Sequence, residues 1–389
     1  MRMKQKTNIE ELIKRLPKGY EQASAATKAL VRKREIKTPA DLIRLVLIYL
    51  TCGYSQLEMS VLASRLGIAK ISDVAFLKRF AKCKDWLSWM VSQIVPRPII
   101  EYPSLSKFAK YQIVALDASD VTEKGRSGRT FRLHYAIDLL RMCSMAYKIT
   151  TQKVGETLNN FDIKANWLIL ADRAYGSLTG IESCLKAGAN FVLRCKYNAF
   201  NLYDEHGNVI QLLDKLKDVT SETAVSIDVF VKLPNLGLTK LRVCATKIPE
   251  DKQDKVTKRN KRNDSKRQRT TSKGALEMSS YVVVITALPS DILAEDILSL
   301  YRYRWQVEIY FKRLKSILDF GNVPLHREDS IHTWLNGKLL ISLLIEQMIS
   351  EVSFSPYGND STQYLERGAN HCQDATLEPF VIEYDTSVL

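Results

Sequence analysis

Apolar residues recur at helical spacing through the first hundred positions and again after about 290, and at alternate positions in between. Residues 1–103 read as helices. "TPADLIRLVLIYLTCGYS" opens with Thr38 as an N-cap ahead of Pro39 and Asp41, the composition a first helical turn favours. "SQLEMSVLASRLG" and "ISDVAFLKRFAKC" form two amphipathic stretches around Gly67, with Ser72 and Asp73 capping the second. That outline is a helix-turn-helix, which reads DNA in many proteins and only packs in many others.

From about 108 the period becomes two. "YQIVALDASD", "TFRLHYAIDLL" and "CSMAYKIT" are short β-rich runs between polar turns. "NWLILADRAYGS" predicts a further strand, "LTGIESCLKAGA" a helix and "NFVLRCKY" a strand after it. This alternation argues for a mixed α/β core over 104–197. Between 198 and 282 the rhythm breaks into β segments with turn signals from Asp204 to Gly207, then a polar run, "TKRNKRNDSKRQRTTSKG". We expect a β-rich insertion carrying a mobile basic loop. Residues 283–350 return to the core and are helical through "YRYRWQVEIYFKRLKSILDFG" and "WLNGKLLISLLIEQMIS". Residues 351–389 lack a period, so an irregular, poorly ordered tail is expected.

Charge changes this picture of a plain α/β protein. Fifty-seven Lys and Arg stand against 43 Asp and Glu, a net charge of +14, which suits a polyanionic partner such as nucleic acid. Seven of the twelve residues from Lys258 to Arg269 are basic: Lys258, Arg259, Lys261, Arg262, Lys266, Arg267 and Arg269. They are candidate phosphate contacts, the alternative being a solvated linker. No apolar run reaches the length of a membrane span, since Arg44 interrupts "LIRLVLIYL". The basic N-terminus has no apolar stretch behind it and does not read as a secretory signal. Seven cysteines without paired spacing read as reduced thiols, and so as a cytoplasmic protein. The five histidines show no zinc-ligand spacing.

The candidate chemistry lies in two carboxylates. "IVALD" and "LILAD" each close an apolar strand run with an acid, Asp117 and Asp172. In an α/β sheet, reactive groups gather where strands emerge at their carboxyl ends. Two acids there repel one another, and a divalent cation relieves the repulsion; ligands that are all oxygen select Mg²⁺ or Mn²⁺. On one continuous helix, Tyr301, Arg304, Glu308 and Lys315 would fall within an arc of about 60°, with Lys312 beside them. An ion-paired solvent face would explain that helix alone. It leaves the paired strand-end acids unexplained, so we read Glu308 as a third carboxylate. Three acids around a metal activate water or a 3′-hydroxyl for phosphodiester chemistry, and Tyr301, Arg304 and Lys315 would hold the flanking phosphates. Arg173, beside the second Asp, is a further phosphate candidate, with a surface ion pair as the alternative.

These residues carry a resemblance. Asp117, Asp172 and Glu308, together with Tyr301-x2-Arg304-x3-Glu308-x6-Lys315, resemble the DDE transposases of the insertion-sequence-four family; "LDASD", "FRLHYAIDL", "ADRAYGS" and "WLNGKLLISLLIE" are similar to stretches of it. The resemblance spans roughly residues 40 to 350. It implies an RNase H-like catalytic domain interrupted by a β-rich insertion and preceded by an all-helical domain. It also implies two Mg²⁺ or Mn²⁺ ions on the three acids, double-stranded DNA bearing terminal inverted repeats and target sites, and a synaptic dimer. The implied route is nicking, hairpin formation on the element end, hairpin opening and strand transfer. Relatives stack a flipped base on an aromatic of the insertion. No Trp lies between Trp167 and Trp305, which leaves Tyr281 for that place. The tail departs from the family's usual helical continuation, as a truncated or frameshifted copy would. Two other functions fit the same residues: a metal-dependent nuclease without transposition, and a non-catalytic DNA-binding repressor.

Overall fold

Side-chain caps start the N-terminal helices where the sequence places them. The computed structural model describes residues 9–94, 103–125, 130–141, 143–268 and 270–353. Its first part holds α1 (Ile9–Lys14), α2 (Tyr20–Ala26), α3 (Pro39–Cys52), α4 (Gln56–Arg65), α5 (Asp73–Ala81) and α6 (Lys84–Gln93). Thr38 accepts from the Asp41 N–H, Ser72 accepts from that of Ala75, and Ser55 and Glu58 form a reciprocal capping box. These caps satisfy donors that a helix cannot satisfy internally.

The catalytic part begins with β1 (Gln112–Glu123), β2 (Thr130–Asp138), β3 (Cys143–Thr151), β4 (Trp167–Ala171), α7 (Leu178–Lys186) and β5 (Asn190–Arg194). Next come β6 (Leu202–Tyr203), β7 (Val209–Ile210), α8 (Leu212–Leu216), β8 (Val225–Leu233), β9 (Gly237–Lys247), α9 (Glu250–Arg267), α10 (Lys273–Met278) and β10 (Tyr281–Thr286). The final elements are α11 (Ala294–Arg302), α12 (Trp305–Ile317), β11 (Asn322–Val323) and α13 (Glu328–Ser353).

The described strands join one sheet, in the order β3-β2-β1-β4-β5-β10-β9-β8-β6-β7, with β11 alongside β1. The β1–β2 and β2–β3 pairs are antiparallel, while β1–β4 and β4–β5 are parallel. That half is the RNase H-like arrangement. Alternation sends Ile113 and Ala115 of β1 to one face and Val114 and Leu116 to the other, into two separate cores. The first core takes in α11 to α13 and the N-terminal helices; the second takes in α7 and the strands β6 to β9.

Three expectations change. The insertion's strands do not form a separate layer: β10 pairs antiparallel with β5, so the catalytic sheet runs on through β9 and β8. The basic stretch is a helix, α9, rather than a loop. Lys, Arg, Gln and Asp are tolerable helix formers, and Glu250 and Asp251 in the first turn complement the helix dipole. The side chain of Asp264 accepts from the N–H and hydroxyl of Thr271 and fastens the far end. Finally, the stretch beginning at Tyr301 is two helices, since α11 stops at Arg302 and α12 starts at Trp305.

Helix α13 ties the two halves together. A Cβ on Gly337 would overlap Cδ1 of Leu50 in α3, so this close approach requires a residue without one. Among the described residues no helix is long and apolar enough to cross a membrane, and Cys52, Cys83, Cys143, Cys184, Cys195 and Cys244 are free thiols. The tail from 354 onward lies outside the described residues.

Candidate active site beside two parallel strands

The register of β1 against β4 pairs Leu116 with Ala171. One residue further along each chain come Asp117 and Asp172. Asp117 is not a strand end: β1 continues to Glu123, because β2 pairs with it as far as Thr122. It is β4 that stops, at Ala171, and leaves Asp117 without a neighbour on that side. Asp172 then caps a short 3₁₀ turn, Arg173–Tyr175, by accepting from the Arg173 N–H. By the strand alternation, Asp117 belongs to the face of Ile113 and Ala115, and Asp172 continues that of Leu168 and Leu170, all in the core that contains α12.

Glu308 comes from α12. Tyr135, the cross-strand partner of Asp117, stacks on Tyr310 of α12 with ring centroids 4.9 Å apart. Burial pushes the Asp117 carboxyl up to about 7; the Ala118 N–H, 2.8 Å from Oδ1, and Arg304 oppose the shift, and Glu308 and Glu156 add to it. Glu308 itself accepts from Arg304 at 2.5 Å. Among the described residues no three His, Cys, Asp or Glu side chains converge closely enough to hold one metal ion. The donor chemistry still fits a hard divalent cation, with two carboxylates in register and a third turned toward Arg304.

The signature residues separate into two groups. Tyr301 and Arg304 are buried, with the guanidinium 5.9 Å from the tyrosine ring. Arg304 stands above its ordinary pKa: burial works against its charge, and Tyr301, Glu308 and Asp117 outweigh that cost. Its Nε and Nη1 are buried without a hydrogen-bond partner. Lys312 and Lys315 are exposed; Lys312 sits over the Trp305 ring at 5.2 Å, and Lys315 bears on the Asp120 carboxylate of β1. The break at Tyr303–Arg304 explains the division, since the arc expected for one helix does not carry across it.

Exposed Arg173 and part-buried Arg194 line a cavity of about 290 Å³ with Lys196, Tyr197, Met278 and Tyr281. Burial lowers the Arg194 pKa, and Arg173 adds to that effect. Tyr281 is 7% exposed and belongs to β10. Tyr197 closes on Gly274 so tightly that a Cβ there would overlap its hydroxyl. Of the basic run, Lys258, Arg262 and Lys266 show exposed side chains at four-residue spacing along α9. Arg259, Lys261 and Arg267 also lie on that helix, and Arg269 lies outside the described residues. Sequence reasoning missed Arg194, Glu156 and Tyr175. Arg194 ends β5 beside β4, as Asp172 follows β4, so strand adjacency was its only signal.

A sheet of this order, with two acids side by side where one strand stops, defines an RNase H-like phosphotransfer scaffold. Residues 108–344 match the family described as "Transposase DDE domain". The chain belongs to the DDE transposases, a family whose chemistry implies a divalent metal. It is 26% identical over 351 residues to "Putative transposase InsL for insertion sequence element IS186A" of Escherichia coli K12, covering 87% of this chain and 93% of the relative. Identity is 27% over 352 residues, with the same coverage, to "Transposase for insertion sequence element IS421" of Escherichia coli. A "Transposase for insertion sequence element IS1151" of Clostridium perfringens is 25% identical over 202 residues, 47% of this chain and 42% of that protein.

Proposed function

We propose that this protein is the transposase of an insertion sequence of the insertion-sequence-four group. It binds the element's terminal inverted repeats as a synaptic dimer, cleaves the DNA ends and joins them to target DNA in the cytoplasm. The observation that carries this reading is the parallel register that brings Asp117 level with Asp172 under the helix bearing Glu308. Asp117, Asp172 and Glu308 hold two Mg²⁺ or Mn²⁺ ions, which when bound activate the attacking oxygen and stabilise the leaving one.

The protein's own groups bind and orient the DNA. Arg304 has two buried N–H groups to offer a phosphate oxygen, and an anion there releases Glu308 from its ion pair. Tyr301 holds the guanidinium from its ring side, while Lys315, Lys312 and Arg173 meet the outer phosphates. Residues 104–197 and 283–350 form the catalytic domain. Residues 1–103 grip the element end, and the insertion, 198–282, supplies the cavity beside Arg173 and the cations of α9: Lys258, Arg259, Lys261, Arg262, Lys266 and Arg267, followed by Arg269. A nucleotide flipped from the end enters that cavity between Tyr197, Met278 and Tyr281.

The test supplies Mg²⁺ or Mn²⁺ and a DNA fragment carrying two element ends. Nicking at the end should expose a 3′-hydroxyl, followed by joining to a second duplex. Asp117→Ala, Asp172→Ala and Glu308→Ala should each abolish cleavage and retain end binding. Wild-type cutting by any of the three would refute the assignment. Cutting that ignores whether ends are paired, with no joining, would make the protein a nuclease.

A further inference from the structure

Tyr175 carries a hydroxyl that packing alone does not require. The residue ends the 3₁₀ turn that follows Asp172, and its side chain is fully buried in the second core beside Ile169, Ala171 and Phe191. Its backbone is held at both ends: the Tyr175 N–H donates to the Asp172 carbonyl at 3.1 Å, and the Ser177 N–H donates to the Tyr175 carbonyl at 2.9 Å. The ring therefore cannot move without moving the turn that aims Asp172. Yet the phenolic oxygen is buried without a hydrogen-bond partner. A phenylalanine would fill the same space and leave no polar atom stranded, so the hydroxyl is an unmet cost in a site that could have avoided it.

The surroundings show what would meet it. Burial raises the Tyr175 pKa, and the charges of Asp117, Glu156 and Asp172 raise it further, Asp117 most among the carboxylates. The phenol is thus a neutral donor facing acids that need donors. Arg132 serves Asp120 by a two-pronged contact and reaches toward Glu156, so the cation on this side is already engaged. Asp117 takes only the Ala118 N–H on one oxygen among the bonds described.

We propose that Tyr175 is a positioning residue for strand cleavage: its hydroxyl donates to the Asp117 carboxylate and fixes the direction in which that carboxylate meets the metal. The inference rests on the reading of Asp117, Asp172 and Glu308 as metal ligands. A donor behind a ligating carboxylate selects one rotamer and leaves the other oxygen for the cation. Loss of such a partner weakens metal affinity by about 10- to 100-fold.

The experiment uses the full chain and Mn²⁺ alone as probe, followed by electron paramagnetic resonance without DNA. Tyr175→Phe should raise the half-saturating Mn²⁺ concentration by about 10-fold or more. It should unfold no earlier than wild type and bind element-end DNA equally well in Ca²⁺. Wild-type Mn²⁺ affinity in Tyr175→Phe overturns the inference. Should that variant not fold, 3-fluorotyrosine at position 175 gives a second measurement: its ¹⁹F resonance should shift on adding Mg²⁺, and an unmoved resonance overturns the inference as well. Asp117→Ala separates the two levels. If it still binds Mn²⁺ as wild type does, the ligand assignment itself fails. If it loses Mn²⁺ and Tyr175→Phe does not, only the role of Tyr175 falls.

Discussion

Tyr135 and Tyr310 lie face to face, their rings 7° from parallel and 4.9 Å apart, with the two hydroxyls joined at 3.2 Å. Tyr135 is the cross-strand partner of Asp117, and Tyr310 stands two residues beyond Glu308. The stack therefore pins the helix of the third acid against the strand of the first. The Ser342 hydroxyl donates to Tyr310 at 3.2 Å and brings α13 into the same joint.

That joint can be weakened in two steps. Tyr310→Phe keeps the stack and loses its hydroxyl contacts, at a cost of about 1 kcal/mol in urea unfolding. Tyr310→Ala removes the ring from a filled core and should cost about 3–5 kcal/mol. Cleavage should persist in the first variant and fall at least tenfold in the second, under conditions where both are folded. Equal cleavage by folded Tyr310→Ala would show that the stack does not place Glu308.

Arg304 and Lys315 should fail in different ways, because one is buried and the other exposed. Arg304→Ala removes charge-assisted bonds worth about 1–3 kcal/mol to end binding and leaves Glu308 without its partner. Lys315→Ala should cost less than Arg304→Ala and grow milder with added salt. Gel-shift titrations at two salt concentrations, alongside mapping of the cut position, would measure both. Unaltered binding and cutting in the two variants would make this a solvated helix face.

The raised Asp117 carboxyl makes metal binding depend on pH. Its value of about 7 lies well above that of an unfolded aspartate, so the metal-free fold takes up a proton between roughly pH 4 and 7. The contribution is destabilising once the group ionises, and stability should fall as pH rises through 7. Asp117→Asn should abolish that slope and be the more stable protein at pH 8. Metal must displace the proton, so Mg²⁺ affinity should drop about tenfold per unit below pH 7. Thermal melts and metal titrations between pH 5 and 8 test both limbs; a flat profile would mean that Asp117 is already ionised at pH 5.

Helix α9 offers exposed cations at Lys258, Arg262 and Lys266 on one side. Changing all three to Glu should weaken binding to every duplex and lower the slope of log affinity against log salt by roughly 0.9 for each phosphate no longer neutralised. Preference for the element end should survive, because bonds to phosphate carry no sequence. A slope equal to that of wild type would leave α9 a solvated arm.

By itself the sequence determined the local terms. Caps at Thr38, Ser55 and Ser72 start helices, and alternation marks β1 to β5, because these features depend on neighbours a few residues away. It also presented the acids and the basic run as residue types, together with a mixed α/β fold. Tertiary structure decided what depends on distant partners. Asp117 lies inside a strand because β2 extends it, and the insertion is part of the main sheet because β10 pairs with β5. The Tyr301 segment breaks in two at Tyr303–Arg304, where both flanking helices bury apolar faces against the sheet. Arg194 and Tyr175 reach the site only because parallel strands set side by side residues far apart in the chain. Periodicity reports which face a residue occupies, and only pairing between strands reports which residues share it.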